Sequence, residues 1–306
     1  MKVLVIGAGA YGLALSSCLI DKNDVIVYSS RKEEIIDLNN NYSNDKLFPN
    51  VKLSNKIKFT NELNLNGVEL VVLAIPSNYF ISVINDLKDK ISKETFICIA
   101  TKGLVNNNYS YDIVRENLDV KGIFVLSGPS FGIDLVKREN IILTVAGDVI
   151  FKDIFSDNIK IEVTNDLIGV QLCGVLKNIF AIGSGILDGL GVSESTKAAY
   201  ITRIINETKN IIVDLNGDKD TINCACGIGD IILTCGSTTS RNFTFGYLIG
   251  SNDNYIDYKN NYTVEGIDAL DSIMLILNKS SEVINIIYNI VNNNMNPDVL
   301  LDYIIK

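Results

Sequence analysis

Short, almost purely apolar runs are spaced through the first half of the chain. They are Lys2–Ile6, Asp24–Tyr28, Leu70–Ile75, Thr95–Ala100, Ile123–Leu126 and Ile141–Ala146. Runs of this kind, continuous rather than alternating, predict strands buried on both faces of a parallel sheet, joined by helical connections such as Tyr11–Asp21. The loops at the carboxyl ends of such strands are where an open α/β sheet binds ligands. From Asp166 onward the helical period dominates, and turn clusters such as Asn216-Gly217-Asp218 and 250–254 break it. Asn292–Asn296 is expected to be a loop before a short helix to Lys306. The pattern predicts two domains, an α/β sheet domain over 1–163 and an all-helical domain over 164–306. No repeat of solenoid period is present.

One stretch can be misread. Val3–Ile20 carries no charge and has the look of a signal peptide or membrane span. A strand, a glycine turn and a helix explain it better, because Gly7, Gly9 and Gly12 are set in a fixed pattern and a second apolar run, Val25–Tyr28, follows. This reading expects a cytoplasmic protein with no membrane insertion.

Gly7-Ala8-Gly9-Ala10-Tyr11-Gly12 fits G-x-G-x-x-G in its required setting: after a strand, opening a helix, feeding a second strand. Gly7 permits the tight turn, Gly9 lets backbone approach a pyrophosphate, and Gly12 lets helix pack on sheet. The helix N-terminus supplies positive potential. The fold class expected is therefore α/β, an N-terminal Rossmann-type doubly wound sheet followed by the helical domain. An acid ending the second strand would favour NAD. Here Tyr28-Ser29-Ser30-Arg31-Lys32 stands instead. The hydroxyls of Ser29 and Ser30 followed by two cations, Arg31 and Lys32, suit a 2′-phosphate, so NADP is expected in preference to NAD. The alternative is that Arg31 and Lys32 are solvated first-turn residues.

Composition narrows the chemistry. The 306 residues include no histidine and no tryptophan. Any general acid or base is then Lys, Asp, Glu, Tyr or Cys, and imidazole metal ligands are excluded. A net charge of −9 argues against nucleic acid as a partner. The six cysteines hold no C-x-x-C pair and read as reduced, mostly buried thiols, with no metal expected.

Three further segments point to an anionic substrate. Lys102 follows a buried strand directly, and Ser127-Gly128-Pro129-Ser130-Phe131-Gly132 is a small-residue loop after another. Both should open onto one crevice. Asp166–Gly191 is nearly all apolar, yet carries Lys177-Asn178. A lysine in an apolar helix is costly unless paired or functional. Its neighbours at helical spacing, Cys173, Gly174, Ala181 and Ser184, leave room for a ligand. Desolvation favours a neutral amine, and so a proton donor and acceptor. The alternative is a structural lysine that reaches the surface or pairs with a carboxylate. Asp230, after Cys226-Gly227-Ile228-Gly229, is equally a helix N-cap or a site residue. Ser240-Arg241-Asn242 offers one cation and hydrogen-bond donors that suit a phosphate or polyol, or else is a polar surface loop.

As an ordered set, these segments resemble the soluble NAD(P)-dependent glycerol-3-phosphate dehydrogenases. The resemblance runs from the glycine turn to Val264-Glu265-Gly266. It includes Ala100-Thr101-Lys102-Gly103, Ser127–Phe131, Ile168–Leu172, Lys177-Asn178, Ala181–Gly185, Gly227–Asp230, Leu233-Thr234-Cys235 and Ser240–Asn242. The family implies interconversion of sn-glycerol 3-phosphate and dihydroxyacetone phosphate, with the reductive direction feeding phospholipid synthesis. The apolar character of the helical domain leads to the expectation of a homodimer. It implies Lys177 as proton acceptor, assisted by Asp230. Lys102, Gly128, Ser130, Lys177, Asp230, Ser240, Arg241 and Asn242 would be substrate contacts. Cofactor contacts would fall at Gly7, Gly9, Ala10, Tyr11, Gly12, Ser30, Arg31, Lys102, Gly132, Arg241, Thr263 and Glu265. The chain departs from the pattern at Ala269, where Thr is frequent, and at Tyr28, where Trp is common. Another β-hydroxyacid dehydrogenase acting on a small phosphorylated or carboxylated substrate is the alternative, as is a non-catalytic NADP sensor.

Overall fold

In the computed structural model, residues 1–148 and 151–305 are described. The chain divides into two units, Met1–Val105 with Ser110–Asn165, and Asn106–Tyr109 with the chain from Asp166 onward.

The first unit is built on strands β1 (Lys2–Ile6), β2 (Asp24–Tyr28), β3 (Lys58–Thr60), β4 (Leu70–Leu73), β5 (Phe96–Ile99), β6 (Gly122–Ser127), β7 (Ile141–Gly147) and β8 (Ile159–Val163). Its helices are α1 (Ala10–Leu19), α2 (Lys32–Asn41), α3 (Phe80–Lys88), α4 (Ser110–Asn117) and α5 (Gly132–Val136). Among the described residues the sheet has eight strands in the order β3-β2-β1-β4-β5-β6-β7-β8. The chain winds outward from β1 to β3, then returns to β4 beside β1 and winds the other way. The reversal between β1 and β4 is the topological switch point of a doubly wound sheet. Central strands are covered on both faces: Val3, Leu4, Val5 and Ile6 are at most 2% exposed. Burying each such side chain contributes about 1.5–3 kcal/mol.

The sheet departs from the expected parallel one at β7, which pairs with β6 antiparallel, Ser127 opposite Thr144. The reason is the connection. A crossover must carry the chain back along the strand, and α5 has five residues, about 7.5 Å of helix. The chain therefore re-enters the sheet from the end at which it left. Two strands escaped the pattern reading. β3 is three residues long, Lys-Phe-Thr. β8, Ile-Lys-Ile-Glu-Val, alternates instead of running apolar. Both are edge strands, where one face meets water and charged side chains guard the edge.

The second unit is helical: α6 (Leu167–Gly189), α7 (Glu194–Asp214), α8 (Asp230–Cys235), α9 (Arg241–Gly250), α10 (Tyr255–Asn261), α11 (Glu265–Ile276), α12 (Glu282–Asn293) and α13 (Val299–Ile305). Lys306, the expected end of the last helix, lies outside the described residues. Asp166 caps α6, its side chain accepting from the Gly169 amide at 2.9 Å. By length and composition α6 could cross a membrane, but every residue from Gly169 to Leu187 is buried, as the core helix of a folded unit. Beside it α9 runs in a fixed register. A Cβ on Gly246 would strike the Ile182 carbonyl, and one on Gly185 would strike the Phe243 carbonyl. Small residues at this crossing let the two backbones touch. The same register brings Asn242 onto Asn178, whose oxygen accepts from the Asn242 amide at 2.9 Å. The start of α9 is thereby held level with Lys177.

Candidate active-site residues

The glycine turn lies at the switch point. The Gly7 amide donates to the Tyr28 carbonyl at 2.9 Å, fixing the turn to the end of β2. Gly7 has φ +115°, and a Cβ there would collide with the Ala74 carbonyl just beyond β4. A Cβ on Gly12 would overlap the Gly7 carbonyl, whereas Gly9 faces open space with nothing within 4 Å. The first turn of α1 has no side-chain cap and no acidic residue. An uncapped helix end over a space that backbone can line fits a dinucleotide pyrophosphate.

Residues chosen for different reasons meet next to this turn. Tyr11 and Ser130 share a hydrogen bond of 3.1 Å between their hydroxyl oxygens. The Lys102 ammonium stands 4.8 Å from the centre of the Tyr11 ring, a cation–π contact. Ser130 also donates to the Gly128 carbonyl at 3.2 Å. Gly132 packs against Ala10, whose carbonyl oxygen is 3.2 Å from where a Gly132 Cβ would stand. Ser30 and Arg31 are exposed at the end of β2, Arg31 as the N-cap residue of α2.

In the second unit Lys177, 5% exposed, meets Asp230, fully buried, at 2.5 Å between Nζ and Oδ1. Asp230 opens α8, but the cap position belongs to Gly229, which makes no side-chain cap bond. The Asp230 carboxylate is turned to Lys177; the Thr234 hydroxyl donates to the Asp230 carbonyl at 2.6 Å, with Oδ1 3.3 Å away. The N-cap alternative for Asp230 is thereby set aside. A turn of π-helix, Ala225–Gly229, feeds α8. One helical turn before the ion pair, Cys173 and Cys226 are hydrogen-bonded, and that bond together with burial pushes the Cys173 thiol well up.

A chain of amides connects the remaining candidates. The Asn178 amide donates to Glu265 Oε2 at 3.0 Å, and Asn242 Oδ1 accepts from the Gly266 amide at 2.8 Å. Together with the Asn242–Asn178 bond this ties α6, α9 and α11 at one level. Ser240 caps α9, its oxygen accepting from the Phe243 amide at 3.3 Å, so its own O–H remains to donate elsewhere. Arg241 is exposed at the first position of α9 and makes no ion pair among the described residues. Thr263 is exposed and shares no side-chain hydrogen bond with this cluster.

Residues 2–149 match the family described as NAD-dependent glycerol-3-phosphate dehydrogenase N-terminus, and residues 166–302 match the corresponding C-terminus. The chain belongs to the NAD-dependent glycerol-3-phosphate dehydrogenase family. A glycerol-3-phosphate dehydrogenase [NAD(P)+] of Clostridium botulinum strain Eklund 17B is 37% identical over 82% of this chain and 79% of its own length. The enzyme of that name from Clostridium botulinum strain Alaska E43 is 34% identical over 97% of this chain and 94% of its own. Among solved structures, the glycerol-3-phosphate dehydrogenase of Coxiella burnetii covers 100% of this chain and 98% of its own, with a TM-score of 0.93 at 25% identity.

For this dehydrogenase, sequence reasoning passed over three residues. Asn178, in sequence only the neighbour of Lys177, joins Glu265 to Asn242. Thr234 bonds the Asp230 carbonyl and lies 3.3 Å from its carboxylate. Glu34 accepts from the Ser29 hydroxyl at 2.9 Å, at the strand end that seemed to lack an acid. The helical spacing of Thr234 from Asp230 was a usable signal. The return of Glu34 toward Ser29 was not, because it depends on how α2 leaves β2.

Proposed function

We infer that the chain is an oxidoreductase that interconverts sn-glycerol 3-phosphate and dihydroxyacetone phosphate with NAD(P)H. Family membership over both units carries the reading, and the buried Lys177–Asp230 pair supports its chemistry. Residues 1–163 would serve as the dinucleotide domain and 164–306 as the substrate domain.

When bound, the nicotinamide cofactor supplies or accepts the hydride. The rest falls to this chain's residues. Lys177 would protonate the alkoxide oxygen that develops at the ketone, and would accept that proton in the oxidative direction. Asp230, with Thr234 behind it, would hold the ammonium in place and keep it charged until transfer. Arg241, Ser240 and Asn242 would bind phosphate and hydroxyls, supplying binding energy remote from the reacting carbon. In the first unit, Lys102, Gly128 and Ser130 would add further substrate contacts. The glycine turn, with Ala10, Tyr11, Ser30, Arg31 and Gly132, would hold the dinucleotide, and Arg241, Thr263 and Glu265 would complete the cofactor contacts. The reductive direction would feed glycerophospholipid synthesis in the cytoplasm. A homodimer would cover exposed apolar side chains such as Ile232 and Leu275.

The deciding experiment follows NADPH oxidation with dihydroxyacetone phosphate for the wild type and Lys177→Ala. The expected loss in kcat is about 100-fold or more. Near-normal turnover in the variant would overturn the role of Lys177. A wild type inactive with both cofactors would favour another β-hydroxyacid dehydrogenase.

A further inference from the structure

The absence of an acid at the end of β2 suggested a 2′-phosphate site. The folded chain puts one there from a different position. Ser29 is pinned on both sides: the preceding carbonyl, Tyr28, accepts from the Gly7 amide, and the Ser29 amide donates to the Thr60 carbonyl at 3.1 Å. Its buried hydroxyl donates to Glu34 Oε2 at 2.9 Å and accepts from the Arg31 amide at 3.3 Å. That bond draws the Glu34 carboxylate back over the strand end. Glu34 is half-buried, and its second oxygen makes no hydrogen bond among the described residues. Arg31, three positions earlier and so on the same side of the helix start, is exposed and makes no ion pair among the described residues. An open polar depression lined by both residues, with Lys32 and Lys52 and the carboxylates of Glu33, Asp37 and Asp45, adjoins them.

We propose that Glu34, delivered to the end of β2 by Ser29, determines the cofactor's 2′ specificity in opposition to Arg31. The inference rests on the dinucleotide reading of the glycine turn. The two side chains ask for different ligands. A ribose 2′-hydroxyl is a donor and is satisfied by the free oxygen of Glu34. A 2′-phosphate is an anion, attracted by Arg31 and repelled by Glu34. A site holding both accepts either cofactor, and neither residue alone would produce that balance. On this proposal the NADP preference expected from the sequence is moderated.

The test measures dissociation constants of NADH and NADPH by isothermal titration calorimetry, without turnover, for the wild type, Glu34→Gln, Ser29→Ala and Arg31→Ala. Wild type should bind both. Glu34→Gln should weaken NADH several-fold, the effect of turning a charge-assisted hydrogen bond into a neutral one, while NADPH binds as well or better. Ser29→Ala, which keeps the carboxylate but frees it, should shift the ratio in the same direction by less. Arg31→Ala should weaken NADPH and spare NADH. An unchanged ratio of the two constants in Glu34→Gln overturns the proposal. So does an equal loss for both cofactors with a native circular dichroism spectrum. A wild type that binds neither cofactor overturns the dinucleotide reading beneath it.

Discussion

The ion pair of Lys177 and Asp230 makes a quantitative demand on stability. The two groups are 5% and 0% exposed and 2.5 Å apart. At an effective dielectric constant of about 20, unit charges at that separation attract by roughly 6–7 kcal/mol. Much of this offsets the cost of removing both charges from water, so the pair as a whole contributes little net stability. Removing one partner is a different perturbation, because the other charge then stays buried without its counterion. Lys177→Met and Asp230→Asn should each destabilise by about 3–5 kcal/mol. The double variant should be much less destabilised than the sum of the two, because replacing both charges leaves neither buried alone. The assay is urea unfolding followed by far-UV circular dichroism, since the chain has no tryptophan to report by fluorescence. Single variants within about 1 kcal/mol of wild type, the range of exposed pairs, would refute the reasoning. An additive double variant would refute it equally.

Gly12→Ala should disrupt the glycine turn, because its Cβ would overlap the Gly7 carbonyl; titration with NADH should show a loss of binding, and unchanged affinity would be contrary evidence. Arg241→Ala should mainly raise KM for dihydroxyacetone phosphate by roughly ten-fold or more, as expected for a charge-assisted contact, and initial-rate kinetics would read it. Stability should fall at alkaline pH: burial pushes the Cys18 thiol from its ordinary 9.0 up to about 11, and pushes Cys98 and Cys235 higher still. Below pH 9 folded and unfolded thiols are both protonated. As pH rises from 9 towards 11 only the unfolded Cys18 ionises, so each such thiol removes about 1.4 kcal/mol per pH unit. Urea midpoints measured across that interval check the sign, and a flat or rising midpoint would contradict it.

Much of this protein was determined locally. The glycine turn was legible because strand, turn and helix are contiguous, and Gly12 answers a demand of its own turn, the Gly7 carbonyl. Lys177 announced itself as a charge in an apolar helical segment, whose cost is a property of that segment alone. The central strands were legible because burial on both faces leaves a continuous apolar run. Edge strands β3 and β8 were not, since half of each faces water. The reversed direction of β7 was hidden too, because direction depends on how far α5 can carry the chain. Tertiary structure alone decided which groups meet. Asp230 stands 53 residues from Lys177 in sequence, and its neighbours allowed a helix cap as readily as a counterion. Burial of both side chains chose the counterion, since a charge in the interior needs an opposite charge more than a helix end needs a cap. At β2 the sequence showed an arginine and no acid at the strand end. The path of α2 supplied the acid, because a hydrogen bond from Ser29 draws Glu34 back to the place where a ribose would lie.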